Sequence, residues 1–126
     1  MKLTEPEWLI MNALWYKHPV KARDVVERLP STVNWAYTTV KTMLDRLVEK
    51  KVVGKSKRGN IGLYEPLVSR RQARRTAMRI MLDQAFDGAF GPMIHFLVED
   101  ESLSAEERKE LIKILSGKSR NKGEQK

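Results

Sequence analysis

The residues of this sequence best suited to chemistry are its lysines and arginines, and half of them fall in one stretch. The chain has 126 residues and a formal net charge of +8, from 24 basic and 16 acidic side chains. Positions 41–79 alone hold twelve basic and three acidic residues, a local net charge of +9. Each cation that neutralises a phosphate releases a condensed counterion, so this stretch predicts a polyanionic partner. A basic face that serves only solvation is the alternative that charge alone leaves open.

Hydroxyl and amine side chains cluster where this basic stretch begins, in the sequence WAYTTVKT at positions 35–42. The major groove of B-DNA admits a helix whose outward side chains are short hydrogen-bonding groups interleaved with cations. Threonines near the start of a helix are also common caps, and this alternative applies to each of them taken alone. We expect base contacts from the outward-facing residues Tyr37, Thr38, Thr39, Lys41 and Thr42. We expect phosphate contacts from the basic residues that follow, Arg46, Lys50, Lys55, Lys57 and Arg58.

Other kinds of chemistry are disfavoured by what the sequence lacks. Without cysteine there is no disulfide, thiol catalysis or thiolate metal site. The two histidines, His18 and His95, lie far apart and belong to no nucleophile, phosphate-loop or metal-ligand motif. The sequence therefore predicts a protein that is not an enzyme and holds no metal or cofactor. It carries no signal-peptide pattern and no apolar run near the roughly 20 residues of a membrane span, so we expect a cytoplasmic location.

Three helices and a hairpin are predicted to position the candidate DNA-contacting residues. Thr4 and Glu7 have the spacing of a capping box and open a helix that reaches about Tyr16. Apolar spacing predicts a second helix over about 22–29 and a third over about 36–50. Alternating β-formers around Gly59-Asn60 then predict a hairpin with a basic tip. This order is that of a winged helix-turn-helix, with the third helix in the major groove and the hairpin, or wing, on the flanking backbone.

The helical period returns from Ser69, and a capping box at Ser104 and Glu107 opens a last helix. The predicted fold class is mainly α with a small β-wing. It comprises a winged helix-turn-helix over 1–68, a helical dimerisation region over 69–116 and a disordered polar tail over 117–126. A single copy leaves the apolar stripes of the second region little to pack against, so we expect a homodimer. The predicted dimerisation residues are Ala77, Ile80, Met81, Phe86, Phe90, Phe96, Leu111, Ile112 and Leu115.

Two features leave alternatives open. The basic cluster Arg70, Arg71, Arg74 and Arg75 fits phosphate contact, pairing with a partner's acidic groups, or plain solvation. A winged helix could also serve as a protein- or RNA-interaction module without operator specificity. Salt-sensitive, sequence-dependent binding to a duplex palindrome would distinguish an operator-binding protein from such a module.

Four segments resemble the penicillinase repressor family: LTEPEW at 3–8, WAYTTVKTMLDRL at 35–47, LYEPLVS at 63–69, and FLVE at 96–99 with Leu103-Ser104. The resemblance covers about Leu3 to Leu115. It implies a homodimeric transcriptional repressor that binds palindromic operators with TACA/TGTA cores and is released by an inducing signal. It also implies that the helix matching Tyr37 to Lys50 reads the DNA and that the C-terminal helices form the dimer.

Three departures from the family pattern bear on mechanism. Copper-responsive members carry a C-terminal cysteine cluster, and the absence of cysteine here excludes that response. Members released by a membrane sensor protease share an Asn-Phe pair at the cut site, whereas Phe96-Leu97 stands at the matching position, which leaves a sensor protease open as a partner. Lys51 stands where the family usually has a helix-ending glycine, so we expect a strained left-handed cap there.

Overall fold

The computed structural model describes residues 1–99 and 103–116, and the tail predicted over 117–126 lies outside this range. The predicted class is confirmed, since these residues form a mainly helical fold with one small antiparallel sheet. None of the described helices is both long and apolar enough to cross a membrane. The elements are α1 (Glu5–Tyr16), α2 (Ala22–Arg28), α3 (Tyr37–Glu49), β1 (Val53–Arg58), β2 (Ile61–Pro66), α4 (Arg70–Phe86), α5 (Phe90–Glu99) and α6 (Ala105–Leu115).

Helix α1 begins with the predicted capping box. The Glu7 amide donates to Thr4 Oγ1 at 3.3 Å, and the Thr4 amide donates to Glu7 Oε1 at 2.8 Å, so two of the unpaired donors at the helix start are satisfied. The Glu7 carboxylate also accepts from Lys50 Nζ at 2.8 Å. Burial alone raises the pKa of Glu7. The hydrogen bonds from Lys50 and Thr4 lower this pKa by more than burial raises it, so it lies below its usual value.

One hydrophobic core joins the first three helices to the sheet. Each helix turns an apolar stripe inward, as its sequence spacing predicts. The sheet contributes Tyr64, which is only 1% exposed. Among the described residues, no side chain caps the start of α2, where Lys21 stands at the N-cap position. The fully buried helical side chains of this core are Ile10, Met11, Leu14, Val25, Val40, Leu44 and Leu47.

Helix α3 ends in the left-handed cap expected from the family resemblance. Lys51 has φ 66°, its amide donates to the carbonyl of Val48, and the Val52 amide donates to the carbonyl of Leu47, both at 3.0 Å. These two bonds form a Schellman motif, with Val52 buried behind it. A side chain with a Cβ is strained in this conformation, and glycine is not.

Replacing Lys51 by glycine is therefore expected to stabilise the fold. Relief of the left-handed strain outweighs the greater freedom of glycine in the unfolded chain, and the free energy of unfolding should rise by about 0.5–1 kcal/mol. Urea unfolding measures this change. Lys51→Ala is the control, because it removes the ammonium group but keeps the Cβ. If glycine is no more stabilising than alanine at this position, the cap is not strained.

The wing is the predicted hairpin. Strands β1 and β2 pair antiparallel in a register that sets Arg58 opposite Ile61, so Gly59-Asn60 forms a two-residue turn. Gly59 has φ 64°, which a residue with a side chain rarely adopts, and this explains the glycine. The backbone of Tyr64 also pairs with that of Val20, at 2.8 and 3.0 Å. This bridge fixes the wing against the segment that leads into α2.

The chain divides into two compact units, Met1–Ile80 and a second that begins at Met81. Ser69 and Gln72 form a further capping box at the start of α4. In the second unit Leu82 is fully buried, whereas its neighbour Met81, one of the predicted dimerisation residues, is 41% exposed. Neither α5 nor α6 has a buried residue. The domain boundary predicted after residue 68 and the dimerisation role of the later helices stay predictions.

Candidate nucleic-acid interface

An open groove of about 380 Å³ lies between the start of α2, the start of α3 and the wing. Eleven residues line it, all of them within residues 1–99, and five of the eleven are basic while none is acidic. Tyr37 and Asn60 add a hydroxyl group and an amide. Such a concave basic surface is complementary to a phosphate backbone and its grooves. The basic lining residues are Lys21, Arg23, Lys41, Lys55 and Lys57.

Helix α3 presents the predicted base-contacting residues on its exposed side. Its inward face is fixed by the buried residues Val40, Leu44 and Leu47, which leaves Thr38, Thr39 and Thr42 exposed. Tyr37 is 39% exposed, and the guanidinium of Arg23 lies 5.2 Å from the centre of its ring. Among the described residues, no side chain forms a capping hydrogen bond at the start of α3, so the first amides of this helix are not satisfied by a side-chain cap.

Asp45 lies on α3 beside the groove and contacts two of the groove's cations. Its Oδ1 accepts from the Tyr64 hydroxyl at 3.1 Å and lies 3.5 Å from Lys55 Nζ, while its Oδ2 lies 3.4 Å from Lys41 Nζ. Burial alone raises the pKa of Asp45, but the Tyr64 hydroxyl and the two lysines lower it by more, so the pKa lies below its usual value. The carboxylate is therefore ionised at neutral pH.

Strand β1 of the wing carries cations on both of its faces. Lys55 and Lys57, two residues apart on β1, both line the groove, as the alternation of side chains along a strand requires. Arg58 lies next to the turn, is exposed, and is not among the lining residues. The structure thus places these three predicted phosphate contacts on one exposed hairpin.

Two other predicted phosphate contacts lie outside the groove. Arg46 is exposed in the last turn of α3. Lys50, at the C-terminal end of α3, is paired with Glu7 of α1 and also donates to the carbonyl of Lys2 at 3.4 Å. A phosphate would have to compete with these partners for Lys50.

Sequence reasoning missed Lys21 and Arg23 as members of this surface. Both lie at the start of α2, outside the basic stretch at positions 41–79 from which the phosphate contacts were predicted. The Val20–Tyr64 bridge brings them beside the wing, across more than 40 residues of sequence. Of the cluster near the start of α4, Arg70 stacks on Trp15, with 5.4 Å between its guanidinium carbon and the ring centre.

The predicted dimerisation residues include several large apolar side chains that a single copy leaves exposed. Ile112 and Leu115 of α6 are each 57% exposed, and Phe96 of α5 is 44% exposed. Phe86 and Phe96 contact each other, with ring centres 6.0 Å apart. The sequence signal for this surface was the apolar spacing of helices that have too little chain to pack against.

The sequence profile of a family described as "Penicillinase repressor" matches residues 3–117. The methicillin resistance regulatory protein MecI of Staphylococcus aureus is 27% identical over 117 residues, which span 93% of this chain and 95% of that protein. The penicillinase repressor of Bacillus licheniformis is 26% identical over 114 residues, 90% of this chain and 89% of that protein. A solved structure titled "CopR Repressor Structure" covers 55% of this chain and all of its own, at 28% identity and a TM-score of 0.46.

Proposed function

Since the chain belongs to the penicillinase repressor family, we propose that it is a transcriptional repressor that binds a palindromic DNA operator as a homodimer. Its relatives are named as repressors and regulators, which agrees with the prediction of a DNA-binding protein that is not an enzyme. The observation that carries the proposal is the groove between α2, α3 and the wing, whose charged lining residues are all basic. A repressor acts on the chromosome, so the proposal includes a cytoplasmic location.

In the proposed complex, α3 enters the major groove and the wing lies on the flanking backbone. The exposed hydroxyls of Thr38, Thr39 and Thr42 and the ammonium group of Lys41 contact base edges, and Tyr37 adds a planar hydroxyl-bearing side chain. The cations of the wing and the start of α2 neutralise phosphates on either side. Phosphate contacts set the position of the protein, and the contacts of α3 determine which sequence is bound.

The proposed homodimer covers the apolar side chains of α5 and α6. In a dimer with a two-fold axis both copies use the same patch. Each apolar residue of the patch is therefore buried once in each copy. The same axis relates the two α3 helices, which explains why a palindromic operator is expected. The acidic and basic residues of the opposite side of α6 stay in solvent.

The position of Phe96 and Leu97 bears on how this repressor could be released from its operator. Phe96 and Leu97 lie within α5, so a protease that cuts between them would have to unwind this helix first. An inducing signal that acts on the dimer, by cleavage or by another route, would separate the two reading helices and so lower the affinity for the operator.

Selection of bound sites from random duplexes tests the proposal. We expect an inverted repeat, with half-sites of the TACA/TGTA type that the family resemblance implies. The spacing of the half-sites should be about one helical turn of DNA or a multiple of it. Recovery of duplexes without a common sequence would instead support a winged-helix module without operator specificity.

Removal of two wing cations is expected to weaken binding to every duplex sequence alike. The double variant Lys57→Ala, Arg58→Ala loses up to two phosphate contacts, so the slope of log affinity against log salt should fall by about one unit for each. Titrations at several salt concentrations measure the slope. Lys17→Ala, Lys109→Ala is the control, because it removes the same charge from exposed positions outside the interface. A wing variant that retains the parent's slope would place the wing away from the DNA.

A further inference from the structure

The carboxylate of Asp45 is fixed in place by a residue of the core. Tyr64 is 1% exposed, and both its backbone amide and its carbonyl pair with Val20. The hydroxyl of a buried tyrosine needs a hydrogen-bond partner, and here it donates to Asp45. Asp45 also stands on a helix whose neighbouring residue, Leu44, is fully buried. The position of this negative charge is therefore set by the fold and not by the lysines around it.

The two ion pairs of Asp45 are exposed on both sides. The side chains of Lys41, Lys55 and Asp45 are 41%, 34% and 46% exposed, and the two ammonium groups lie 3.4 and 3.5 Å from the carboxylate. Ion pairs as exposed and as long as these are weak and exchange readily. Lys55 also lies over the ring of Tyr64, at 5.4 Å from its centre. An incoming anion can therefore replace Asp45 as the ion-pair partner of either lysine without disturbing the core.

We propose that Asp45 is a positioning residue that competes with the phosphates and base edges of DNA for Lys41 and Lys55 and thereby lowers the affinity for any duplex. This inference rests on the proposed DNA-binding function. In the free protein the anchored carboxylate holds both ammonium groups at the groove. When a duplex binds, its phosphates and base edges replace the carboxylate as partners of these lysines. Asp45 then lies close to a polyanion without its former partners. The repulsion between the carboxylate and the DNA lowers the affinity for every DNA sequence.

Asp45→Asn removes the competing charge and keeps the fold. The asparagine carbonyl can still accept from the Tyr64 hydroxyl, so the core hydrogen bond is preserved. Loss of two weak exposed pairs predicts about three- to tenfold tighter binding to a duplex of random sequence. When the lysines move from Asp45 to DNA, the carboxylate of the parent binds a cation from the salt, which offsets part of the counterion release. Asparagine binds no such cation, so the slope of log affinity against log salt should become steeper by at most about one unit.

Glu49→Gln is the matched control for this experiment. It removes the same charge from the same helix, one turn further on, at an exposed position that makes no ion pair with any described residue. Both substitutions change the net charge alike, so the long-range attraction for DNA rises similarly in both. A larger gain from Asp45→Asn measures what the paired lysines add. Asp45→Ser, which keeps a hydroxyl acceptor, serves as a second neutral variant, and thermal unfolding checks that each variant is folded.

A double-mutant cycle tests whether Asp45 lowers the affinity for DNA through the two lysines. If Asp45 acts through them, Asp45→Asn gains no more than Glu49→Gln in a chain that already carries Lys41→Ala and Lys55→Ala. Equal gains from Asp45→Asn and Glu49→Gln in the parent, or an undiminished gain without the lysines, would overturn the inference. If the parent prefers a palindrome and these gains are equal, the inference alone fails. If the parent has no sequence preference but Asp45→Asn still binds duplex more tightly, the operator function alone fails.

Discussion

Replacing Ile112 and Leu115 by serine is expected to separate the proposed homodimer into monomers, with a dimer dissociation constant raised by a factor of about 100 or more. Both side chains are 57% exposed in a single copy, so their loss costs the monomer little. In the proposed dimer each is buried twice, and full burial of an isoleucine or leucine contributes about 1.5–3 kcal/mol. Even half of this sum corresponds to the stated factor. Sedimentation equilibrium measures the dissociation constant.

The control for this variant lies on the opposite side of the same helix. Glu106→Ser with Lys113→Ser also shortens two exposed side chains, and it leaves the net charge unchanged. It should sediment as a dimer like the parent. A monomer of the serine variant should also bind a palindrome far more weakly, because its two reading helices are no longer linked. If Ile112→Ser, Leu115→Ser dimerises as tightly as the parent, α6 is not in the interface.

Thr42→Ala and Lys41→Ala are expected to remove sequence preference at defined positions of the operator. A good contact with a base edge discriminates against the wrong base by a factor of about 10 to 100. Loss of one contact should therefore flatten the preference at one position of each half-site, symmetrically in both. Binding of Thr42→Ala to random duplexes should stay close to that of the parent, since threonine carries no charge. Lys41→Ala should also weaken that binding.

A library of single-base operator variants measures this loss. Thr76→Ala on α4 is the control, because it makes the same change at a half-buried position outside α3 and the groove. It should preserve the parent's order of preference at every position. If both α3 variants also rank all operator variants as the parent does, another element reads the bases.

The elements of the first 68 residues could be predicted because their signals are local. The Thr4 capping box, the Gly59-Asn60 turn and the apolar spacing of α3 each depend on residues a few positions apart. The strained cap at Lys51 was expected on another ground, because the family that the sequence resembles usually has a helix-ending glycine at this position. The outward face of α3 followed from its buried face.

The residues that α2 contributes to the groove could not be predicted, because their place in it depends on contacts between distant segments. Lys21 joins the wing only through the bridge between Val20 and Tyr64, and no local pattern indicates that pairing. From the helical period alone, Asp45 falls on the outward side or the flank of α3. Its contact with Tyr64, 19 residues away, depends on how β2 packs against that helix. The pairing of Lys50 with Glu7 spans 43 residues and was missed for the same reason.

The central claim is that two copies of this chain read the two halves of one palindrome through α3. The most direct measurement compares the affinity of the full chain for three duplexes of equal length at one salt concentration. The first carries the selected palindrome, the second has one half-site scrambled, and the third is random. We predict that scrambling one half-site lowers the affinity by at least about tenfold and that the random duplex binds more weakly still. Equal affinity for all three duplexes would contradict the account.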